Sequence, residues 1–176
     1  MKIILASQSP RRKEILESLG IDFEVVPANC NEMCDKTAPN EIVMELAERK
    51  AKSVNLPGII IGSDTIVVHN NVVFGKPKDK DDAFKMLKQL QDSWHEVYTG
   101  VCVIKDSPIT YYECSHVHMK RLSDNEIWDY IDTGEPMDKA GAYAIQGIGA
   151  KLIDEYKGEF ETIMGLPIKR LKTLLV

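Results

Sequence analysis

The sequence predicts an α/β domain built on a mixed β-sheet, and three observations point to it. Apolar runs of strand length alternate with segments of helical spacing along the 176 residues. Two connections, "HNN" and "DSP", are short enough for hairpins, so part of the sheet is antiparallel. The composition, 44% hydrophobic and 28% charged, is that of a chain able to bury an ordinary core. At this length a single domain over 1–176 is expected, with room for two lobes around a cleft.

The elements follow in order. An apolar run at 2–6 reads as a strand. Ser9 followed by Pro10 opens a helix over 10–19, because a serine oxygen can cap free backbone N–H groups and proline suits the first helical position. Gly20 stops it, and a strand at 22–26 follows. Pro39 opens a helix over 39–53, with Ile42, Val43, Leu46, Ala47 and Ala51 near helical spacing, and "NLPG" ends it. "IIIGSDTIVV" reads as a buried strand that turns at His69-Asn70-Asn71 into "VVF" before "GKP" breaks the chain. Residues 79–91 form an amphipathic helix through Ala83, Met86, Leu87 and Leu90, followed by long strands near 94–105 and 109–122. Ser123 and Glu126 make a capping box for a helix ending near Gly134. The remainder reads as glycine-punctuated loop and strand, closed by a helix over 166–174. Repeats, low-complexity tracts and linkers are absent.

Charge narrows the function classes. A formal net charge of -5 argues against a general nucleic-acid binder, which needs a basic face for phosphates. The apolar runs are far too short to span a membrane, and the first residues show neither an h-region nor a cleavage site, so a cytoplasmic location is expected. Four cysteines do not make a disulfide scaffold in a chain of this size, and reduced thiols suit that compartment.

Two places break local rules. The helix opening at Ser9 carries Arg11 and Arg12 in its first turn, where the backbone dipoles are already positive and acidic residues are preferred. An anion resolves this, since the N-terminal N–H groups and two guanidinium forks would hold a phosphate together. Surface charges balanced by Glu14 and Glu17 would also account for the pair. The segment is not a Walker loop, whose pattern occurs nowhere in the chain. Asp64 is the second break, a carboxylate within an apolar strand that needs a cation, a metal or a set of donors. Gly62 beside it permits a bulge or a close backbone approach of a ligand; an aspartate bonding a turn is the plainer alternative. Glu32, Lys52, Lys76 and the pair Asp138-Lys139 each read alone as solvated charge. Gathered around a helix N-terminus, such residues describe a metal-assisted phosphate-transfer site.

The segments "SQSPRR", "GSDTIV", "GKP", "YTGV", "EPMDKAGAYAIQG" and "GLPI", taken in order, resemble the Maf family of nucleoside triphosphate pyrophosphatases across nearly the whole chain. The resemblance implies an elongated Maf/ITPase-like α/β fold, a central mixed sheet flanked by helices with a deep nucleotide-binding cleft. It also implies hydrolysis between the α and β phosphates, yielding a nucleoside monophosphate and pyrophosphate. Ser7, Arg11, Lys52 and Lys76 would handle phosphates. Glu32 and Asp64 would hold a divalent Mg²⁺ or Mn²⁺ ion or activate water, with Asp64 as proton acceptor. Arg12, Thr65 and Gln146 are similar to the specificity set of the branch acting on dTTP and UTP rather than on 7-methyl-GTP. A glutamine amide offers one donor and one acceptor, which complements the edge of thymine or uracil. Asn31 departs from the family, where aspartate often precedes the glutamate, and this removes one charge near the metal. The expected partner is a small-molecule nucleotide, with no nucleic acid and no membrane, and a homodimer is compatible with the sequence.

Other features carry less. "QGIGAK" lacks the third glycine of a dinucleotide fingerprint. Cys114, His116 and His118 alternate and would share one strand face, open to zinc or simply polar, with Cys30 and Cys34 as distant donors that only tertiary structure could supply. Beside the nucleotide pyrophosphatase stand two functions of other classes: a non-catalytic nucleotide sensor regulating cell division, and a zinc-dependent interaction protein. Intact Asp64, Glu32, Lys52 and Lys76 argue against lost catalysis.

Overall fold

The computed structural model describes residues 1–176. Seven strands, β1 (Ile3–Leu5), β2 (Phe23–Val25), β3 (Ile59–His69), β4 (Val72–Phe74), β5 (Ser93–Ile104), β6 (Pro108–Met119) and β7 (Ile153–Lys157), form one mixed sheet. Its order is β2-β1-β3-β5-β6-β7, with β4 paired to β3. The helices are α1 (Pro10–Ser18), α2 (Pro39–Lys52), α3 (Lys80–Leu90), α4 (Asp124–Asp132), α5 (Phe160–Met164) and α6 (Ile168–Leu175). The chain divides into two compact units. The first comprises Met1–Thr65, Tyr98–Glu113 and Glu159–Val176, the second Ile66–Val97 and Cys114–Gly158. No helix is long and apolar enough to cross a membrane.

In the first unit β1 runs parallel to both β2 and β3, pairing Ile3 with Phe23 and Ile59. The apolar stripe of α2 covers this sheet, where Ala47 and Ala51 pack with Ile4, Ala6, Ile60 and Cys102. The helix backbone comes unusually close because two strand residues opposite it lack side chains. A methyl group on Gly62 would fall on the Ala47 carbonyl oxygen and lie 2.6 Å from the Ala51 nitrogen. One on Gly100 would fall on the Val43 carbonyl and lie 2.8 Å from the Met44 nitrogen. Gly62 therefore admits a helix, where the sequence suggested a bulge or a ligand. The closing helix also differs from expectation: α5 precedes it, Gly165 stands between the two at φ 107, and α6 starts only after Pro167. A residue before proline is steered out of the helical region, so Leu166 cannot belong to α6.

In the second unit the β3–β4 hairpin turns through Asn70 and Asn71 at φ 49 and 62, the two positive values that a type I′ turn requires. Helices α3 and α4 pack together, with Phe84 stacked on Trp128 at 4.7 Å between ring centroids. The capping box of α4 forms as expected: Ser123 N donates to Glu126 Oε2 at 2.7 Å, and Glu126 N to Ser123 Oγ at 3.2 Å. The glycine-punctuated stretch, read as loop and strand, holds the strand β7 and, within the expected loop, three 3-10 helices, Glu135–Asp138, Ala140–Ala142 and Gly147–Leu152. Glu135 organises them, since its carboxylate accepts from the Tyr130 hydroxyl (2.6 Å), Ile148 N (3.1 Å) and Gly149 N (2.8 Å). Three donors to one carboxylate tie a segment with little regular pairing to a buried tyrosine of α4.

Candidate active site

Strand β3 carries Asp64 through the interior of the first unit, where the residue is 8% exposed. The cation that such a carboxylate needs comes from α2: Lys50 Nζ lies 2.6 Å from Asp64 Oδ1. The same ammonium lies 3.0 Å from Oε1 of Glu32, which stands exposed in the irregular segment before α2. Two carboxylates thus converge on one cationic point.

Lys52 does not take part. It is exposed and paired with Glu48 one turn back along α2, an arrangement that raises its pKa mainly through the hydrogen bond to Glu48. Helical geometry explains the difference. At about 100° per residue, seven residues beyond Val43 returns Lys50 to the buried stripe, whereas nine residues carries Lys52 to the opposite side. Lys50 was missed although its signal was present, a charge at the i+7 position of an apolar stripe.

Arg12 sits at the start of α1, whose N-cap is Ser9 as expected. Its guanidinium spreads over three partners: Nε donates to the Gly165 carbonyl (2.7 Å), one terminal nitrogen to Ser7 Oγ (3.2 Å) and the other to Thr65 Oγ1 (3.1 Å). Burial pulls its pKa down to about 10, against the opposing pull of Asp64, while neighbouring Arg11 adds to the lowering. Thr65 also meets Thr99 Oγ1 at 2.9 Å, and Thr99 donates to the Thr162 carbonyl at 2.7 Å. Ser63 Oγ contacts the Gly100 and Gly165 carbonyls at 3.0 and 2.8 Å. Gly165 has reason to be glycine. Its positive φ aims the carbonyl into this network, and a Cβ would stand 3.2 Å from both Arg12 Nε and Thr65 Oγ1. Four of the six sequence motifs, those around Ser7, Asp64, Thr99 and Gly165, are therefore knitted into one polar framework within the first unit. Arg11 is half-buried at the second position of α1.

The other two motifs meet in the second unit. Gly141 N donates to the Gly75 carbonyl at 3.1 Å, which anchors the "GKP" turn that presents Lys76 on the surface. Ala142 holds φ 60 beside it, a strained value for alanine, so the local structure imposes this conformation. Lys139 Nζ binds the Glu135 carbonyl (2.9 Å) and Asp138 Oδ1 (2.8 Å). Gln146, half-buried, directly precedes the 3-10 helix that Glu135 holds.

The alternating residues Cys114, His116 and His118 of β6, open on sequence to zinc or to a simply polar role, do not act together. His118 faces Asp154, with Nδ1 3.3 Å from Oδ2, while Cys114 and His116 gather with Glu96 of β5. All four cysteines are free thiols.

The model of the family described as Maf-like protein matches residues 2–176. A dTTP/UTP pyrophosphatase of Thermosipho melanesiensis is 49% identical over 176 residues, covering 99% of this chain and 97% of that protein. One of Thermoanaerobacter sp. (strain X514) is 48% identical over 182 residues, covering 99% and 95%. Among solved structures, a HAM1 protein from Coxiella burnetii superposes with a TM-score of 0.51 at 15% identity, covering 87% of this chain and 80% of that one. The Staphylococcus aureus Ham1 protein gives 0.50 at 14% identity with the same coverage, and at such identities the likeness concerns the fold alone. With the family match running the length of the chain and the arginine framework joining the motifs that first suggested it, this chain belongs to the Maf family.

Proposed function

We propose that the chain hydrolyses dTTP and UTP to the nucleoside monophosphate and pyrophosphate. The observation that carries this is the buried Asp64 with Lys50 and Glu32 gathered around it, in a chain whose relatives at 48–49% identity are named dTTP/UTP pyrophosphatase.

In the reaction a water oxygen bonds to the α-phosphorus, the bond from that phosphorus to the pyrophosphate oxygen breaks, and the water proton passes to a base. Asp64 is that base. Lys50 holds its Oδ1 and so fixes which oxygen is offered to water. Glu32 and Asp64 also fit a divalent ion: each has a second carboxylate oxygen beyond the one that meets Lys50, and such hard oxygen donors suit Mg²⁺ or Mn²⁺. Mg²⁺ or Mn²⁺ bound there would neutralise charge on the phosphates. Arg11 and the N–H groups opening α1 hold phosphate oxygens, with Ser7 adding a hydroxyl, while the phosphate role of Lys76, in the second unit, rests on the family resemblance alone. Gln146 reads the pyrimidine edge. Arg12 maintains Ser7 and Thr65 in position through its three-way contact. The substrate is a free nucleotide, and the cytoplasm, where thiols stay reduced, is the compartment.

The test is product analysis with a nucleotide panel in the presence of Mg²⁺ or Mn²⁺. Monophosphate and pyrophosphate from dTTP and UTP are expected. Release of orthophosphate with a diphosphate product would overturn the cleavage site. A preference for 7-methyl-GTP would move the chain to the other branch, and no turnover of any nucleotide would favour a sensor.

A further inference from the structure

We propose that Glu96, Cys114 and His116 bind a divalent transition-metal ion of the Zn²⁺ class, at a site in the second unit separate from the Asp64–Glu32 pair. On β6, Ser115 and Val117 are fully buried. Side chains alternate along a strand, so Cys114, His116 and His118 share the opposite face. His118 is withdrawn from a shared site: its Nδ1 lies 3.3 Å from Asp154 Oδ2, and its ring rests against Trp94 at 5.2 Å. Glu96, on the adjacent strand β5, takes its place. Its Oε2 lies 3.9 Å from Cys114 Sγ, and the three ligand atoms of Glu96, Cys114 and His116 all lie within 4.8 Å of one another.

Tetrahedral zinc with ordinary bond lengths holds its sulfur, nitrogen and oxygen ligands about 3.3–3.6 Å apart. Small rotamer adjustments close the remaining gap, and they fall to the exposed His116 rather than to the strands. Both strands are central in the sheet, so the donors rest on a rigid frame. Thiolate, imidazole and carboxylate together select Zn²⁺ or Co²⁺ and not Mg²⁺, whereas the two carboxylates near Lys50 have the opposite preference. Three protein ligands leave a fourth position for water. On binding, the sulfur–metal bond forms as the Cys114 thiol releases its proton to solvent, with no change of oxidation state. The ion would cross-link β5 to β6.

The experiment uses the full chain, stripped with a chelator. It is then titrated with Zn²⁺ against a chromophoric competitor and, separately, with Co²⁺ while absorption is recorded. One equivalent of Zn²⁺ and a thiolate-to-cobalt charge-transfer band are expected, and both should persist in Cys30→Ser/Cys34→Ser, His118→Asn and Asp64→Asn. Loss of a remote partner of a ligand already weakens metal sites about 10–100-fold, so Cys114→Ser, Glu96→Gln and His116→Asn should each weaken Zn²⁺ binding by more than about tenfold. Unchanged affinity in Cys114→Ser would overturn the proposal. So would absence of the charge-transfer band in the unmutated chain, a result independent of whether any variant folds, or disappearance of the band in Cys30→Ser/Cys34→Ser.

Discussion

The ammonium nitrogen of Lys50 lies 2.6 Å from Oδ1 of Asp64, and the two side chains are only 13% and 11% exposed. Away from bulk water each group depends on the other. Lys50→Met is expected to lower kcat for dTTP by about 10²–10³-fold, the scale of losing one preorganised electrostatic partner. It should also reduce unfolding free energy by up to about 3–5 kcal/mol, because Asp64 stays buried without its cation. Lys52→Ala, on the exposed side of α2, is expected to match the parent in both. Steady-state kinetics and urea unfolding of the two variants check this, and equal losses would contradict the assignment of Lys50.

Asp64→Asn keeps the shape of the side chain but neither its charge nor its capacity to accept a proton. Turnover should fall by about 10²–10⁴-fold, the usual contribution of a positioned base, with far-UV circular dichroism unchanged. Near-normal turnover in a well-folded variant would reduce Asp64 to a structural partner of Lys50.

Gly62→Ala tests how the site is positioned. The added methyl would collide with α2 at Ala47 and Ala51, so the helix must move off the sheet and carry Lys50 away from Asp64. Overpacking of this kind costs about 1–3 kcal/mol or more, and the same variant should lose activity at temperatures where it remains folded. Stability near that of the parent would show that α2 tolerates the shift.

Base selectivity should reside in Gln146 more than in Arg12. Gln146→Ala is expected to compress the ranking of kcat/KM among dTTP, UTP, CTP and 7-methyl-GTP by about 1–3 kcal/mol, the value of a buried hydrogen bond. Arg12→Lys removes a fork that joins Ser7, Thr65 and Gly165, so it should lower kcat/KM for every nucleotide together and also lower stability. A changed ranking in Arg12→Lys would mean that the guanidinium contacts the base.

His95 supplies a pH dependence. It is 2% exposed, with Nε2 2.6 Å from the Tyr143 hydroxyl and Nδ1 without a hydrogen-bond partner. Burial, reinforced by His69, His116 and His118, pushes its pKa down to about 3. The unfolded chain binds this proton near pH 6.5 and the folded chain does not, so the contribution is complete above about 6.5 and is lost as pH falls toward 3. Below pH 6 the parent should lose about 1.4 kcal/mol per pH unit more than His95→Phe does, as measured by urea unfolding with chelator present. Parallel pH profiles would contradict a neutral buried His95.

What the sequence determined by itself was local. The Ser123–Glu126 capping box, the Asn70-Asn71 turn and the Ser9-Pro10 helix start depend on neighbours a few residues away, and each formed where its residues announced it. The alternation of elements and the six motifs together carried the fold class and the family. Lys50 was legible in principle, since a helix repeats over a known angle, but telling which of two nearby lysines faces inward requires knowing which stripe is buried. Tertiary structure alone decided the rest. Arg12 meets a carbonyl 153 residues away, Glu96 rather than His118 joins Cys114 and His116, and Gly62 makes room for a helix rather than a ligand. No local pattern encodes such contacts, because they depend on which strands become neighbours and how closely a helix can lie on them, and the packing of the whole core sets both.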